Sequence, residues 1–411
     1  MDHILKVRSP LHFFENPRAS RAAPYAADGR TEILSLAAFA EAKRDITSWP
    51  GYAPTPVRQL TKLAARAGVA AIAYKDEAGR FGLGSFKAIG GGYAVCKLLR
   101  KKVQQQTGAI ISSADLTSSR YADVTREITV TCATDGNHGR AVAWGAQTFG
   151  CRCVVYVHET VSEGRCRAIA KYGAEVRRVA GTFDDAVRRA ASDAATYGWV
   201  VVSDTSYEGY TDVPRDIMQG YSLMADEALA QGPPPSHVFV QGGVGGLAAG
   251  QCAYFWERLG SARPRFVVVE PDKADCFYRS AVAGKPVSAP GTLDTIMAGL
   301  ACGEVSLLAW KILKIGADDF MTIDDEAAID CMRLLAEGRH GDPPTVAGES
   351  AVAGLTGFLI GSADPKVRRS LELGSHSRIL VFGTEGATDP ELYTRLVGRT
   401  PEQVAHIVEA K

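Results

Sequence analysis

An alternation of short apolar runs with helical stretches restricts this chain more than any other feature. The runs fall at residues 71–74, 128–132, 153–157, 176–179, 200–202, 238–241, 266–270 and 379–382. Between them lie amphipathic stretches such as 139–149, 163–172, 182–197, 215–230 and 247–259. Runs without polar alternation suit strands buried on both faces, and strand–helix–strand order suits parallel pairing. The chain therefore reads as an α/β protein with mostly parallel, twisted sheets flanked by helices. At 411 residues it is long enough for two domains. Residues 1–29 read as a poorly ordered N-terminal arm. Residues 101–127, with Gln104-Gln105-Gln106 and Ser118-Ser119, read as a polar excursion, and Pro233-Pro234-Pro235 as a loop before a new strand.

Charge and composition exclude several classes. Lys+Arg 46 balances Asp+Glu 46, so no overall field draws the chain to nucleic acid or an anionic membrane. No apolar run reaches the ~18 residues of a membrane span, and residues 1–6 lack the apolar core of a secretory signal. The 9 cysteines are an odd number without metal-ligand spacing. The expectation is reduced thiols, no metal site and a cytoplasmic location. Cys276 and Cys302 stand in the two most distinctive later segments.

Three turns carry chemistry. In Gly79-Arg80-Phe81-Gly82-Leu83-Gly84-Ser85-Phe86-Lys87, a glycine-rich turn follows a strand and places Lys87 where a helix begins near Ser85. The positive field of a helix N-terminus, with partial burial, frees an amine to attack a carbonyl. The bland alternative is a solvated surface lysine. A second turn, Thr134-Asp135-Gly136-Asn137-His138, also joins strand to helix. Thr134 or Asp135 can cap, Gly136 tightens the turn, and the freed amides suit a substrate carboxylate. Asn137 offers a donor and an acceptor for a phenolate oxygen, and His138 reads first as structural. In the third, Gln241-Gly242-Gly243-Val244-Gly245-Gly246, successive backbone amides can form a phosphate nest at a helix N-terminus.

A nicotinamide oxidoreductase competes, because Gly243, Gly245 and Ala248 satisfy a loose dinucleotide pattern and Glu270 ends the next strand. Pro271 directly after Glu270, the late position of the loop and the lysine turn argue against it. One amine for an aldehyde, one phosphate nest and one partner for a ring oxygen together imply pyridoxal 5′-phosphate. Thr384, after the strand at 379–382, supplies a hydroxyl for the ring nitrogen.

In these motifs and their order the chain resembles the fold-type II pyridoxal-phosphate enzymes, the tryptophan synthase β-like superfamily. Within that superfamily it is similar to the diaminopropionate ammonia-lyases. The resemblance rests on Arg80-Phe81-Gly82-Leu83, Ala133-Thr134-Asp135-Gly136-Asn137-His138-Gly139-Arg140, Glu208-Gly209-Tyr210-Thr211 and Ile217-Met218-Gln219-Gly220-Tyr221. Further segments are Glu270-Pro271-Asp272-Lys273-Ala274-Asp275-Cys276, Thr295-Ile296-Met297-Ala298-Gly299-Leu300-Ala301-Cys302-Gly303-Glu304 and Gly348-Glu349-Ser350. Two departures stand out: Gly84-Ser85 before Phe86-Lys87, and glycine at two loop positions where the family commonly has alanine.

The resemblance implies a large cofactor-binding domain of 30–90 with 213–411, a small α/β domain of 91–212, a cofactor between them, and a homodimer. Lys87 would carry the cofactor. Asn137, Gly242, Gly243, Val244, Gly245, Gly246 and Thr384 would bind it. Ser85, Thr134, Asp135, Gly136, His138 and Asp204 would face the substrate. Related dehydratases place a small neutral residue where this chain has Asp135. A carboxylate there can take the Cα proton from the face opposite Lys87 and attract a second ammonium, while a helix cap is its bland reading. Asp204 adds negative potential. The implied reaction is loss of ammonia from 2,3-diaminopropionate, D or L, giving pyruvate and a second ammonia. Alternatives are elimination from serine, threonine, 3-hydroxyaspartate or a modified diaminopropionate, and a catalytically silent binding protein.

Overall fold

The computed structural model describes residues 4–7, 9–134 and 136–409, the last three by backbone alone. Its strands are β1 (His12–Glu15), β2 (Val57–Gln59), β3 (Ala71–Asp76), β4 (Thr129–Ala133), β5 (Arg152–His158), β6 (Glu175–Val179), β7 (Val200–Val201), β8 (His237–Gln241), β9 (Arg265–Pro271), β10 (Asp319–Ile323) and β11 (Arg378–Gly383). They form two sheets, each in its own compact unit.

The first unit comprises Met1–Ser35, Pro54–Gly79 and Met224–Lys411. Its sheet runs β1-β10-β9-β8-β11-β3-β2, parallel throughout except for the two edge strands. Val267, Val269, Met321 and Val381 meet Leu355 and Phe358 of the helix Ala353–Ala363 in its core. Fully burying such a side chain stabilises by about 1.5–3 kcal/mol. The helix comes close because Gly357 has no side chain: a Cβ there would lie 2.8 Å from Val269 Cγ2.

The N-terminal segment differs from the disordered arm expected over 1–29. His12–Glu15 pairs with β10, the Asn16 amide donates to Ala317 O at 2.7 Å, and the Arg18 guanidinium donates to Ala281 O at 2.9 Å. Four residues are too few to show a period, so β1 leaves no trace in the sequence pattern. The strand β10 escaped notice for another reason. Its first residue is a carboxylate, Asp319, fully buried because Arg265 Nε donates to it at 2.7 Å.

The second unit comprises Leu36–Ala53 and Arg80–Leu223. Its sheet, β6-β5-β4-β7, is parallel throughout. Helices Lys87–Thr107, Asn137–Phe149 and Asp212–Tyr221 carry the residues of the lysine and Asn137 turns and Tyr221. The first runs through part of the expected polar excursion, and the stretch 215–230 is two helices, Asp212–Tyr221 and Leu223–Gln231. The unit takes in residues 36–53, 80–90 and 213–223, which the expected boundaries gave to the large domain. Packing explains this. Gly90, Gly91 and Gly92 lie against Tyr221, Ala141 and Trp144, and Lys97 and Arg100 pair with Glu41 at 3.1 Å on the helix Leu36–Thr47.

Each sheet has one place where the strand order reverses, and ligands of open α/β sheets bind outside the carboxyl ends of strands at such places. In the first unit β8 and β11 flank the reversal, leading into Gly242 and Thr384. In the second it is β4 and β7, leading towards residues 134–137 and Asp204.

Candidate active site

Lys87 is the first residue of its helix, and Phe86 before it provides no side-chain cap. The turn that delivers it is held by aromatic packing. Phe81 adopts φ 49, a left-handed conformation uncommon for a bulky residue, and its ring lies 4.8 Å from Trp144 and 6.0 Å from Trp49. Arg140 ties the same turn to the Asn137 helix by donating to Leu83 O at 2.8 Å.

The Lys87 amine reaches the carboxylate of Asp204 at 2.7 Å, with the Phe86 ring at 5.4 Å and the Tyr221 ring at 5.8 Å. Burial works to raise the Asp204 pKa, but the charge of Lys87, the neighbouring His138 and the hydrogen bond from Lys87 outweigh it. The carboxyl is held well below the usual range. His138 is buried. Its Nε2 lies 2.8 Å from Val202 O, and its Nδ1 lies 3.9 Å from Asp204 Oδ2. Burial lowers the imidazole pKa, Asp204 opposes that, and Lys87 adds to it, and the net lowering favours the neutral ring.

Beside them, the Thr134 hydroxyl accepts from the amides of Gly136 at 3.0 Å and Gly139 at 3.1 Å. Thr134 thus satisfies an amide in the first turn of the helix that Asn137 opens, the N-cap position itself being Gly136. Gly139 is required: a Cβ there would lie 2.3 Å from Thr134 Cγ2. Ser85 is buried, and Asp135 lies outside the described residues.

In the first unit the glycine loop leaves β8 and enters the helix Gly246–Leu259. Gly243 and Gly245 take φ 63 and φ 93. From beneath, Glu270 and Phe277 press on the loop: a Cβ on Gly242 would lie 2.6 Å from Glu270 Cγ, and one on Gly245 2.2 Å from Phe277 Cζ. Glu270 accepts from the amides of Phe277 at 3.0 Å and Tyr278 at 2.7 Å, and burial pushes its carboxyl up to about 8. Gln241 binds the loop to β11, donating to Phe382 O at 2.7 Å and Thr384 Oγ1 at 3.3 Å. Both distinctive cysteines adjoin Gly243. The Cys276 thiol points to Gly243 O at 3.7 Å, and a Cβ on Gly243 would lie 3.8 Å from Cys302 Sγ. Neither cysteine is part of a disulfide.

Comparison with known proteins decides among the readings. The family model for pyridoxal-phosphate dependent enzymes matches residues 48–381. Diaminopropionate ammonia-lyase of Escherichia coli K12 is 40% identical over 362 residues, 86% of this chain and 90% of that protein. The crystal structure of the holo enzyme from E. coli has a TM-score of 0.86 at 36% identity, covering 95% of this chain and 97% of that one. A second crystal structure, of that enzyme with an aminoacrylate-PLP azomethine reaction intermediate, scores 0.84 at 36% identity with the same coverage. The chain belongs to the diaminopropionate ammonia-lyase family of pyridoxal-phosphate dependent enzymes.

Its fold is that of the fold-type II enzymes, and its residues fit the family's cofactor. The glycine loop keeps positive φ at Gly243 and Gly245 and bare Cα atoms where side chains would collide with its floor, and of its amides those of Gly242 and Gly245 are engaged by Val269 O and Gly242 O. Lys87 supplies an amine at a helix start, and Thr384 a hydroxyl at the carboxyl end of β11. The oxidoreductase reading falls with its acid: Glu270 is turned inward onto two amides and is 1% exposed, so it cannot meet a ribose. Sequence reasoning missed Tyr221, Gln241 and the structural duty of Glu270. Tyr221 and Glu270 lie in segments that match the family, but their partners are distant in sequence, and no local pattern announces such contacts.

Proposed function

We infer that this protein eliminates ammonia from 2,3-diaminopropionate, of D or L configuration or both, giving pyruvate and two ammonia. The Lys87–Asp204 pair carries the reading. A carboxylate kept ionised 2.7 Å from the reacting amine, with two aromatic faces near that amine, is an environment for cations, and a diamino substrate brings a second one. Balanced charge favours a small amino-acid ligand over nucleic acid. Likeness to the family supports a cytoplasmic homodimer, and among the described residues no helix is long and apolar enough to cross a membrane.

In this reading the amides of Gly243, Val244 and Gly246 hold the cofactor phosphate, those of Gly242 and Gly245 being engaged by Val269 O at 2.9 Å and Gly242 O at 3.2 Å, while Asn137 takes its ring oxygen and Thr384 its ring nitrogen. The bound cofactor withdraws electrons from Cα and makes its proton removable. Lys87 would hold the cofactor through its aldehyde, and the substrate amine would compete for that place. The displaced Lys87 amine removes the Cα proton of one isomer, and Asp135 removes that of the other from the opposite face. Thr134, Gly136 and Ser85 shape the substrate side. Thr384 already accepts from Gln241, so its own O–H proton is available to the ring nitrogen.

The test is a panel of D- and L-2,3-diaminopropionate, serine, threonine and 3-hydroxyaspartate, scored by pyruvate or other keto acid and by ammonia. Two ammonia per pyruvate, with diaminopropionate the fastest substrate, is expected. Faster turnover of a hydroxy amino acid would replace this reading by a dehydratase.

A further inference from the structure

Among the described candidate residues, His138 has a duty that its local structure leaves incomplete. Its Nε2 faces the carbonyl of Val202 at 2.8 Å, and a carbonyl only accepts, so Nε2 carries the ring proton. The neutral ring then presents a bare lone pair at Nδ1. That atom is buried and has no hydrogen-bond partner among the described residues, and Asp204 Oδ2 lies 3.9 Å from it. Two acceptors side by side cannot bond each other. They require a donor with at least two protons, and buried polar groups are seldom left without one.

The Lys87 ammonium shows what kind of donor this place takes. It is held by Asp204 at 2.7 Å and lies near the rings of Phe86 and Tyr221. An amine joined to an aldehyde no longer has those protons to offer. We propose that His138 Nδ1 and Asp204 then form an acceptor pair for the second ammonium of the diamino substrate, making His138 a specificity-determining residue. This rests on the diaminopropionate reading and deepens it.

The pair suits the chemistry at Cβ. As the Cα proton departs, its electron pair forms the Cα–Cβ double bond. The Cβ–N bond breaks with its electrons passing to nitrogen, and neutral ammonia leaves with the three protons the ammonium already carried. No proton donor is needed, only acceptors that keep the amine charged until it goes. A hydroxyl leaving group needs a proton, and neither an ionised Asp204 nor an unprotonated Nδ1 has one to give. The pair thus favours ammonium over hydroxyl at Cβ.

Two substitutions separate the ring's two nitrogens. His138→Gln places an amide N–H where Nε2 stands and keeps the bond to Val202, but leaves nothing at Nδ1. His138→Asn places a carbonyl oxygen near Nδ1 and gives up the Val202 bond. In His138→Gln, kcat/KM for 2,3-diaminopropionate should fall roughly 10- to 100-fold, the size of a hydrogen bond to a charged group, with serine turnover little changed. His138→Asn should hold the ratio of the two substrates near that of the parent, although it folds less stably. Nitrogen-15 NMR of histidine-labelled holoenzyme gives a readout independent of turnover and of the variants: the His138 Nδ1 resonance should be of the unprotonated type at neutral pH. A protonated Nδ1, or an equal loss on both substrates in His138→Gln, overturns the proposal and leaves His138 a structural residue. Parent protein that releases no ammonia from diaminopropionate would instead overturn the functional reading itself.

Discussion

At Thr134 the hydroxyl oxygen accepts from the amides of Gly136 and Gly139, which is the work of an N-cap. Capping was the competing role for Asp135, and a neighbour fills it. The proposed function gives the carboxylate of Asp135 to the substrate instead. Asp135→Asn, nearly isosteric, should reduce turnover of D-2,3-diaminopropionate by roughly 10² or more, as loss of a general base does. The L isomer, whose proton Lys87 reaches, should suffer less. Steady-state kinetics on the separate isomers checks this, and equal small effects would return Asp135 to the backbone. Lys87, Thr134, Asn137 and the loop glycines were legible as single residues because a strand, a turn and a helix start surround each of them. The Lys87–Asp204 contact was not, since 117 residues separate the partners.

The Lys87 helix contains Gly90-Gly91-Gly92, and each glycine costs about 1 kcal/mol relative to alanine in a helix interior. Close approach of two neighbouring helices offsets that cost. The Asp212 helix meets it at Gly220, where a Cβ would lie 2.0 Å from Ile89 O. A backbone carbonyl cannot swing aside as a side chain can. Gly220→Ala should therefore separate the two helices that carry Lys87 and Tyr221. The expected cost is about 1–3 kcal/mol in urea unfolding, the range for overpacking. Turnover should fall with it, because the aromatic face beside Lys87 moves. Unchanged stability would mean that the helices part without strain. The glycine run itself is plain in the sequence, yet only the neighbouring helices show why it is there. The eight apolar runs all became strands, while β1 and β2, of four and three residues, are too short to show a period.

The chain passes between its two units at Ser35–Leu36, Ala53–Pro54, Gly79–Arg80 and Leu223–Met224. Within the first unit, residues next to the last three of these passages share one buried cluster. Lys75, at the end of β3, donates to Glu227 at 2.6 Å and to the carbonyl of Thr55, and the Thr55 hydroxyl donates to Glu77. Lys75 and Glu77 are both 0% exposed. From sequence these four residues look like ordinary surface charges and a loop threonine, because nothing local marks a charge as buried. A desolvated pair behaves unlike an exposed one such as Arg188–Asp185, which water and salt screen. Lys75→Met removes the cation that lies 2.6 Å from buried Glu227 and 4.0 Å from buried Glu77, and should cost about 3–5 kcal/mol in urea unfolding. Lys75→Met combined with Glu227→Leu removes the more tightly paired carboxylate as well and should recover part of that loss, since Glu77 keeps the Thr55 hydroxyl. Recovery identifies the stranded charge as the source of the damage. If the double variant is no more stable than Lys75→Met alone, the cluster acts through packing of its side chains, and the ion pair adds nothing of its own.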